Sequence, residues 1–219
     1  MTRISFDQEL VMLNDTLEEM GFCVEETIDK LYAAIEQHDS ETVAYIYAND
    51  RAINDMEKSI EAQCLSIITK QQPIAKDLRN VSAALKVVTD LERIGDHVSD
   101  IAELMIRNPS IELPKLSPHI SPMIAATKKI VHDAIAVFLS GDIMVAQEVV
   151  ESDDVIDEFF SRVKDDLIQT IREHDDQIDI CIDVLMINKY LEKIGDHAVN
   201  MAEWKIFKET GSVNDVKIY

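Results

Sequence analysis

Leu91-Glu-Arg-Ile-Gly-Asp-His-Val-Ser-Asp-Ile-Ala-Glu103 and Leu191-Glu-Lys-Ile-Gly-Asp-His-Ala-Val-Asn-Met-Ala-Glu203 agree at eight of thirteen positions, at an offset of 100. A weaker echo lies upstream, where Asp50-Arg-Ala-Ile-Asn54 parallels Asp153-Asp-Val-Ile-Asp157 at an offset of 103. Long bundle helices resemble one another in composition, but composition does not put a shared Gly-Asp-His in register. The pattern reads as a duplication. Each half carries three helices, with an acidic pair on the middle one and an acidic row on the last.

The chain around these repeats is built for helix. It has only five Gly and five Pro in 219 residues, and four of the prolines (Pro109, Pro114, Pro118, Pro122) fall in one short segment. Ala, Leu, Ile, Glu, Lys and Met are abundant, aromatics are few, and no alternating β-branched runs occur. Six long helices are expected. The first covers about Asp7–Gln37, with Ser5 and Gln8 as a capping box, and the second about Glu41–Thr69, capped by Asp39 or Ser40. The third opens at Gln72-Pro73, because proline is tolerated at the first helical position, and runs to Arg107. The fourth follows the proline segment Asn108–Pro122 and ends near Gly141. The fifth spans Asp142–His174 and the sixth Asp176–Lys208. The fold class is all-α: two tandem, duplicated three-helix bundles, 1–108 and 119–219, joined by a proline-rich linker, 109–118.

Composition narrows the function. Against 21 Lys and Arg stand 42 Asp and Glu, a net charge of −21, which disfavours nucleic acid and anionic membrane surfaces as partners. With 47% hydrophobic residues the acidity does not signal disorder. The longest stretch free of charged side chains, Leu116–Thr127, is too short to span a bilayer. The opening residues Met1–Glu9 have no apolar run, so no cleaved signal is expected and the protein is placed in the cytoplasm. Cys23, Cys64 and Cys181 are widely spaced with no Cys-x-x-Cys pair, and read as buried free thiols.

Residues three or four apart share a helix face. Glu92, Asp96 and Asp100 therefore form one row, continuing a stripe that is apolar upstream through Leu78, Val81, Leu85 and Val88. The last helix repeats this, from Ile178, Cys181 and Leu185 through Asn188 to Glu192, Asp196 and Asn200. A second row, Leu91, Ile94, Val98, Ile101 and Met105, anchors the helix to the core. Stacked carboxylates repel by about 0.2–0.5 kcal/mol per pair on an exposed helix, and burial raises that cost. The middle helix of each bundle offers an opposing pair, Asp50 with Asn54 and Asp153 with Asp157. Such oxygen donors with water suit a hard cation, magnesium, manganese or iron, better than structural zinc. The competing reading is a solvated acidic face, cheap to find in a chain this acidic. His97 and His197 lie about 100° round the helix from the acids and read as capping or packing residues.

Catalysis finds little support. No Glu stands three residues before any of the six histidines, which removes the di-iron carboxylate bundle. No phosphate-binding glycine loop, nucleophile elbow or His-Glu-x-x-His occurs. Metal-dependent phosphoester hydrolysis stays open as an alternative, as does a structural helix-bundle adaptor without metal.

Gln71-Gln-Pro-Ile-Ala-Lys-Asp-Leu-Arg79, Thr89-Asp-Leu-Glu-Arg-Ile-Gly-Asp-His97 and the opening from Phe6 through Met20-Gly21 resemble the PhoU family over essentially the whole chain. The resemblance implies a cytoplasmic homodimer that couples a phosphate ABC transporter ATPase to a membrane sensor histidine kinase and represses the phosphate-starvation response. It implies an adaptor, not an enzyme. It also implies multinuclear metal clusters on a repeated acid-x-x-x-Asp signature, matched by Glu92 with Asp96, Asp96 with Asp100, Asp153 with Asp157 and Glu192 with Asp196. Asn54 and Asn200 depart from it, leaving each half one charged ligand short. A bare protein of this charge should repel free phosphate unless bound metal reverses the local sign. The acidic rows are accordingly expected in a helix-lined groove with little compensating positive charge from the chain.

Overall fold

The computed structural model describes residues 3–213 and 216–217. It is helical almost throughout, as expected, but two of the six helices are broken. In chain order the elements are α1 (Arg3–Gln37), α2 (Ser40–Ala48), α3 (Arg51–Gln71), α4 (Lys76–Arg107), α5 (Leu113–Leu116), α6 (Ile120–Ser140), α7 (Ile143–Glu151), α8 (Asp153–Glu173) and α9 (Ile178–Thr210). A 3₁₀ turn (Asp175–Gln177) precedes α9, and a two-residue antiparallel ladder, β1 (Ser212–Val213) with β2 (Val216–Lys217), follows it. No helix of the described residues is long and apolar enough to cross a membrane.

The second expected helix is α2 and α3, interrupted at Asn49-Asp50; the fifth is α7 and α8, interrupted at Ser152. Short polar side chains compete with the backbone at both breaks. Asn49 Nδ2 donates to the Tyr45 carbonyl at 2.8 Å, and Ser152 Oγ donates to the Val149 carbonyl at 2.7 Å. Both caps of the broken helices follow the expected chemistry: Asp39 accepts from the backbone N–H groups of Glu41 and Thr42, and Asp142 from those of Met144 and Val145. α1 runs from Arg3, upstream of the expected start at Asp7, and the side chain of Ser5, the expected cap, lies outside those described. Pro73 does not open α4. Gln72 ends α3 in the left-handed region (φ 47°), Ala75 also takes φ 47°, and the helix begins at Lys76. Pro122 falls in the first turn of α6, where its missing N–H costs nothing.

The core follows the helical period. Along α1, Leu13, Leu17, Met20, Val24, Ile28 and Leu31 are each at most 2% exposed. On α4 the anchoring row Leu91, Ile94, Val98, Ile101 and Met105 is buried as expected, and on α9 Leu191, Ile194, Ala198 and Met201 do the same. Cys64 and Cys181 are buried free thiols, whereas Cys23 is only partly covered.

In the first half α4 packs on α1, α2 and α3; in the second, α9 packs on α6, α7 and α8. The most extensive packing joins the halves, α4 against α9. The two helices run antiparallel: Arg79 Nε reaches the Lys208 carbonyl (3.4 Å), Asp90 meets His197 (2.9 Å), and Asn108 Nδ2 donates to Asp183 Oδ2 (2.7 Å). Farther out, α1 and α6 are pinned by Lys128–Asp29 at 2.6 Å and His132–Glu25 at 2.8 Å. The chain between α4 and α6 is held to α8, where Asp166 accepts from the fully buried Ser117 hydroxyl (2.6 Å) and lies 2.8 Å from His119 Nδ1.

Candidate functional site

The helix breaks place the acidic pairs. Asp50 sits at the entry to α3, and Asp153 is the first residue of α8, so each carboxylate lies where a helix N-terminus favours negative charge. The glycine of each Gly-Asp-His motif then lets the neighbouring long helix come close. A Cβ on Gly95 would lie 3.0 Å from Ile53 Cδ1, and one on Gly195 would lie 2.9 Å from Ile156 Cδ1 and 3.1 Å from Asp153 Oδ1. Residue types at i and i+3 on the middle helix (Asp50 and Ile53; Asp153 and Ile156) thus seat the acid against the motif by seating the isoleucine on the glycine.

In the first half Asp50, Glu92 and Asp100 are drawn into one electrostatic group. Partial burial raises the Asp50 carboxyl above its usual range, and the charges of Asp96 and Asp100 push it further, while Asn54 Nδ2 donates to it at 3.2 Å. Burial also raises Glu92 first, followed by the charges of Asp96 and Glu57. Burial raises Asp100 too, opposed by His97, whose Nδ1 lies 3.6 Å away. Asn54 keeps its carbonyl oxygen buried without a partner. Asp50 and Gly95 line a cavity of about 180 Å³ between α1, the α2–α3 break and α4.

In the second half Asp153 is pushed up to about 6, by burial first and then by Asp157, Asp196 and Glu192. Its buried Oδ1 has no hydrogen-bond partner. Asn200 does not face this group. Its Nδ2 donates to Asp90 Oδ1 across the α4–α9 seam at 3.3 Å.

The acidic rows are partly covered, with the Glu92 and Glu192 side chains 15% and 14% exposed. They are not, however, as short of cations as the sequence suggests. Arg93 reaches Asp96 at 3.1 Å and Glu92 at 3.5 Å; Lys189 reaches Glu192 at 2.6 Å; Lys193 pairs with Asp196 and lies 3.5 Å from Glu192. Long flexible arms one or three positions away fold back over the row. Arg93 and Lys193 occupy the same place in the repeated motif, a signal the sequence carried. Glu57, raised by burial and Glu61, adds a carboxylate to the first group that spacing missed. The first group therefore sets five carboxylates (Asp50, Glu57, Glu92, Asp96, Asp100) against Arg93, the second four (Asp153, Asp157, Glu192, Asp196) against Lys189 and Lys193.

Both groups are hard-oxygen donor sets with uncompensated negative charge, the chemistry a divalent cation takes. Among the described residues no three His, Cys, Asp or Glu side chains converge closely enough to hold an ion as they stand. A cation would find one or two carboxylates in place and complete its shell with water or by side-chain rotation.

His97 and His197 face the seam. Their rings lie 5.6 Å apart, His97 stacks on Tyr190 at 5.5 Å, and His197 Nδ1 is 2.9 Å from Asp90 Oδ1. They pack and pair between the long helices, as their offset from the acids implied. Burial lowers the His97 pKa, and the neighbouring His197 lowers it further.

Comparison with known proteins places the repeat in a family. The PhoU domain model matches twice, over residues 17–105 and 120–204, once per half. A Clostridium acetobutylicum protein named phosphate-specific transport system accessory protein PhoU homolog is 34% identical over 99% of both chains. A Thermotoga maritima protein, homolog 1 of the same name, is 31% identical over 95% of this chain and 90% of its own. The crystal structure of PhoU from Pseudomonas aeruginosa superposes with a TM-score of 0.89 at 30% identity, over 94% of this chain and 100% of that one. The crystal structure of the phosphate transport system regulatory protein PhoU from Streptococcus pneumoniae gives 0.86 at 26% identity, over 96% and 100%.

Proposed function

The chain belongs to the PhoU family, and from that premise we propose that it is an accessory regulator of phosphate uptake. The observation that carries this reading is the double family match over both halves, joined to relatives of almost the same length that bear that name. In its finer form the proposal is a cytoplasmic homodimer that engages the ATPase of a phosphate ABC transporter and a sensor histidine kinase, and holds phosphate-starvation genes off when phosphate is plentiful. It acts by occupying partners, without catalysis. Removal of the gene from its host is expected to switch those genes on in phosphate-rich medium and to change phosphate uptake. Unchanged expression and uptake would discard the reading. Turnover of p-nitrophenyl phosphate by the pure protein would promote the hydrolase alternative instead.

A metal belongs to this proposal. Asp50, Glu92, Asp96 and Asp100 in the first half, and Asp153, Asp157, Glu192 and Asp196 in the second, would hold magnesium, manganese or iron, with Asn54 contributing its free carbonyl oxygen. The cation would supply positive charge to an otherwise anionic surface. Support comes from the partnerless oxygens of Asp153 and Asn54 and from the raised pKa values of Asp50, Glu92 and Asp153, set by burial first and by neighbouring carboxylates second. Calorimetric titration of chelator-treated protein with manganese and magnesium tests it, and no heat with either ion removes the metal from the proposal.

A further inference from the structure

Where α4 begins and α9 ends, a chain of net charge −21 gathers positive charge. Lys76, Arg79, Lys205 and Lys208 surround one carboxylate, Glu209. Lys205 Nζ lies 3.0 Å from Glu209 Oε1 and Lys76 Nζ 3.8 Å from Oε2, so the two lysines bracket it. Arg79 Nε reaches the Lys208 carbonyl at 3.4 Å, and Lys208 Nζ sits 4.8 Å over the Phe138 ring. Although acids outnumber bases 42 to 21, neither Arg79 nor Lys208 has a carboxylate within ion-pair distance among the described residues. The Lys208 ammonium and the outer nitrogens of Arg79 reach solvent without a partner. The Lys76 and Glu209 side chains are open as well, 67% and 32% exposed.

Helix capping accounts for only part of this cluster. The end of α9 carries about half a negative charge and Glu209 one more, against four cations, so about two positive charges are left over. Their crowding is visible at Lys208, whose pKa is lowered by burial first, then by Lys205 and Lys76, with Glu209 opposing. An arriving anion relieves that repulsion. A guanidinium and ammonium groups with free N–H donors pair with oxyanion oxygens through charge-assisted hydrogen bonds. Glu209 adds selectivity. At neutral pH inorganic phosphate keeps a P–OH hydrogen that a carboxylate accepts, whereas sulfate has none and meets the same carboxylate with repulsion alone.

We propose that this cluster binds inorganic phosphate without metal, with Arg79, Lys208 and Lys76 on its oxygens and Glu209, held in place by Lys205, accepting its hydrogen. A chain this acidic repels a free anion at long range, but at this end its own side chains reverse the local sign. The choice of phosphate among protonated oxyanions rests on the proposed role in phosphate uptake, while the site itself rests on the geometry. None of its residues belongs to the acidic groups, so it stands or falls separately from the metal.

Inorganic phosphate is titrated into the full chain, stripped of metal and dialysed free of chelator, at fixed ionic strength, and binding is read by calorimetry and phosphorus NMR. A Kd of about 1 mM or tighter is expected, with sulfate about fivefold weaker or more. Arg79→Gln and Lys208→Gln should each weaken phosphate about tenfold. Lys208→Gln should also leave the melting temperature equal or higher, because it removes a crowded charge. Glu209→Gln should bring sulfate to within about twofold of phosphate, since an amide donates to either anion. Lys164→Gln, at an exposed position on α8, controls for net charge and should change nothing. No binding, binding only when manganese or magnesium is added, equal binding of sulfate by the unaltered chain, or indifference to both Arg79→Gln and Lys208→Gln would each overturn the site. None of these results touches the regulatory reading, which gene removal tests by itself, so the two fail separately.

Discussion

His197 Nδ1 lies 2.9 Å from Asp90 Oδ1, joining the two long helices at the point where the repeated motifs meet. The equivalent contact in the other direction would pair His97 with position 190, which is tyrosine, and there the rings stack at 5.5 Å instead. His97 turns to Asp100 of its own helix, whereas Asn200, the counterpart of Asp100, joins His197 on Asp90. The two copies differ at two of these three positions, 90/190 and 100/200, and the seam is one-sided as a result.

Asp90 is therefore expected to be the more sensitive end of the seam. Asp90→Leu leaves both His197 and the Asn200 amide without their acceptor and should cost about 2 kcal/mol in urea unfolding. In a double-mutant cycle with His197→Ala, the coupling should be about 1 kcal/mol, whereas Tyr190→Leu with His97→Ala should couple less.

The acidic groups predict how stability changes with pH. Asp153 titrates near 6 in the folded protein against 3.8 for an ordinary aspartate, so between those values the native state holds more protons than the unfolded one. Stability then falls as pH rises from about 4 to about 6, and the loss is complete above the folded value. Asp50, Glu92 and Asp100 are raised by the same cause and act in the same sense. His97, lowered below 6.5 by burial, opposes them, since its contribution is lost as pH falls below the unfolded value. Asp153→Asn should flatten the melting-temperature profile over this window and raise the melting temperature at pH 7; a wild-type profile without slope there would contradict the assigned environment.

Gly195 is held by its neighbours. An alanine methyl 2.9 Å from Ile156 Cδ1 and 3.1 Å from Asp153 Oδ1 forces both side chains to shift, so Gly195→Ala should destabilise by about 1 kcal/mol despite its better helix propensity. Removing Cδ1 with Ile156→Val should recover part of the loss and not all, because the carboxylate remains. For Gly95→Ala the three nearest atoms all belong to the Ile53 side chain, at 3.0 Å and beyond, and the change should cost less.

If cations occupy the acidic groups, manganese should raise the melting temperature at pH 7 more than at pH 5, where Asp153 is largely protonated. At a hundredfold excess over Kd, single-site binding adds about 2.7 kcal/mol, a shift of several degrees. Combined Glu92→Gln and Asp96→Asn should remove the contribution of the first group, and Asp153→Asn that of the second. Scanning calorimetry with and without metal separates the two.

The helical fold, the duplication and the buried rows were readable from composition and period, because apolar spacing reports a helix face directly. The breaks at Asn49-Asp50 and Ser152 were not. Neither Gly nor Pro marks them, and they depend on an asparagine and a serine bonding backwards to carbonyls, which the same residues do not do at many other positions. The start of α4 differs from its expected place for a related reason: Pro73 satisfies the rule for a first-turn proline, but Gln72 and Ala75 at positive φ turn the chain before the helix begins at Lys76. At the acidic groups the spacing correctly identified which carboxylates share a helix face. It gave no account of Arg93, Lys189 and Lys193 folding over them, since side-chain reach is set by rotamers and not by register. Asn200 turns toward the partner helix because Asp90 offers it an acceptor, a pairing 110 residues apart in the chain.

The one-sided seam has a consequence for how the gene could be cut. Two copies of residues 1–108 paired head to tail would present Asp90 to His97 twice, a good match; two copies of the second half would set Tyr190 against His197 twice, with Asn200 deprived of its acceptor. The charged pairing is thus open to the first half alone, whereas the second half set against itself would keep ring stacking of the kind Tyr190 makes with His97 and would lose the acceptor that His197 and Asn200 share.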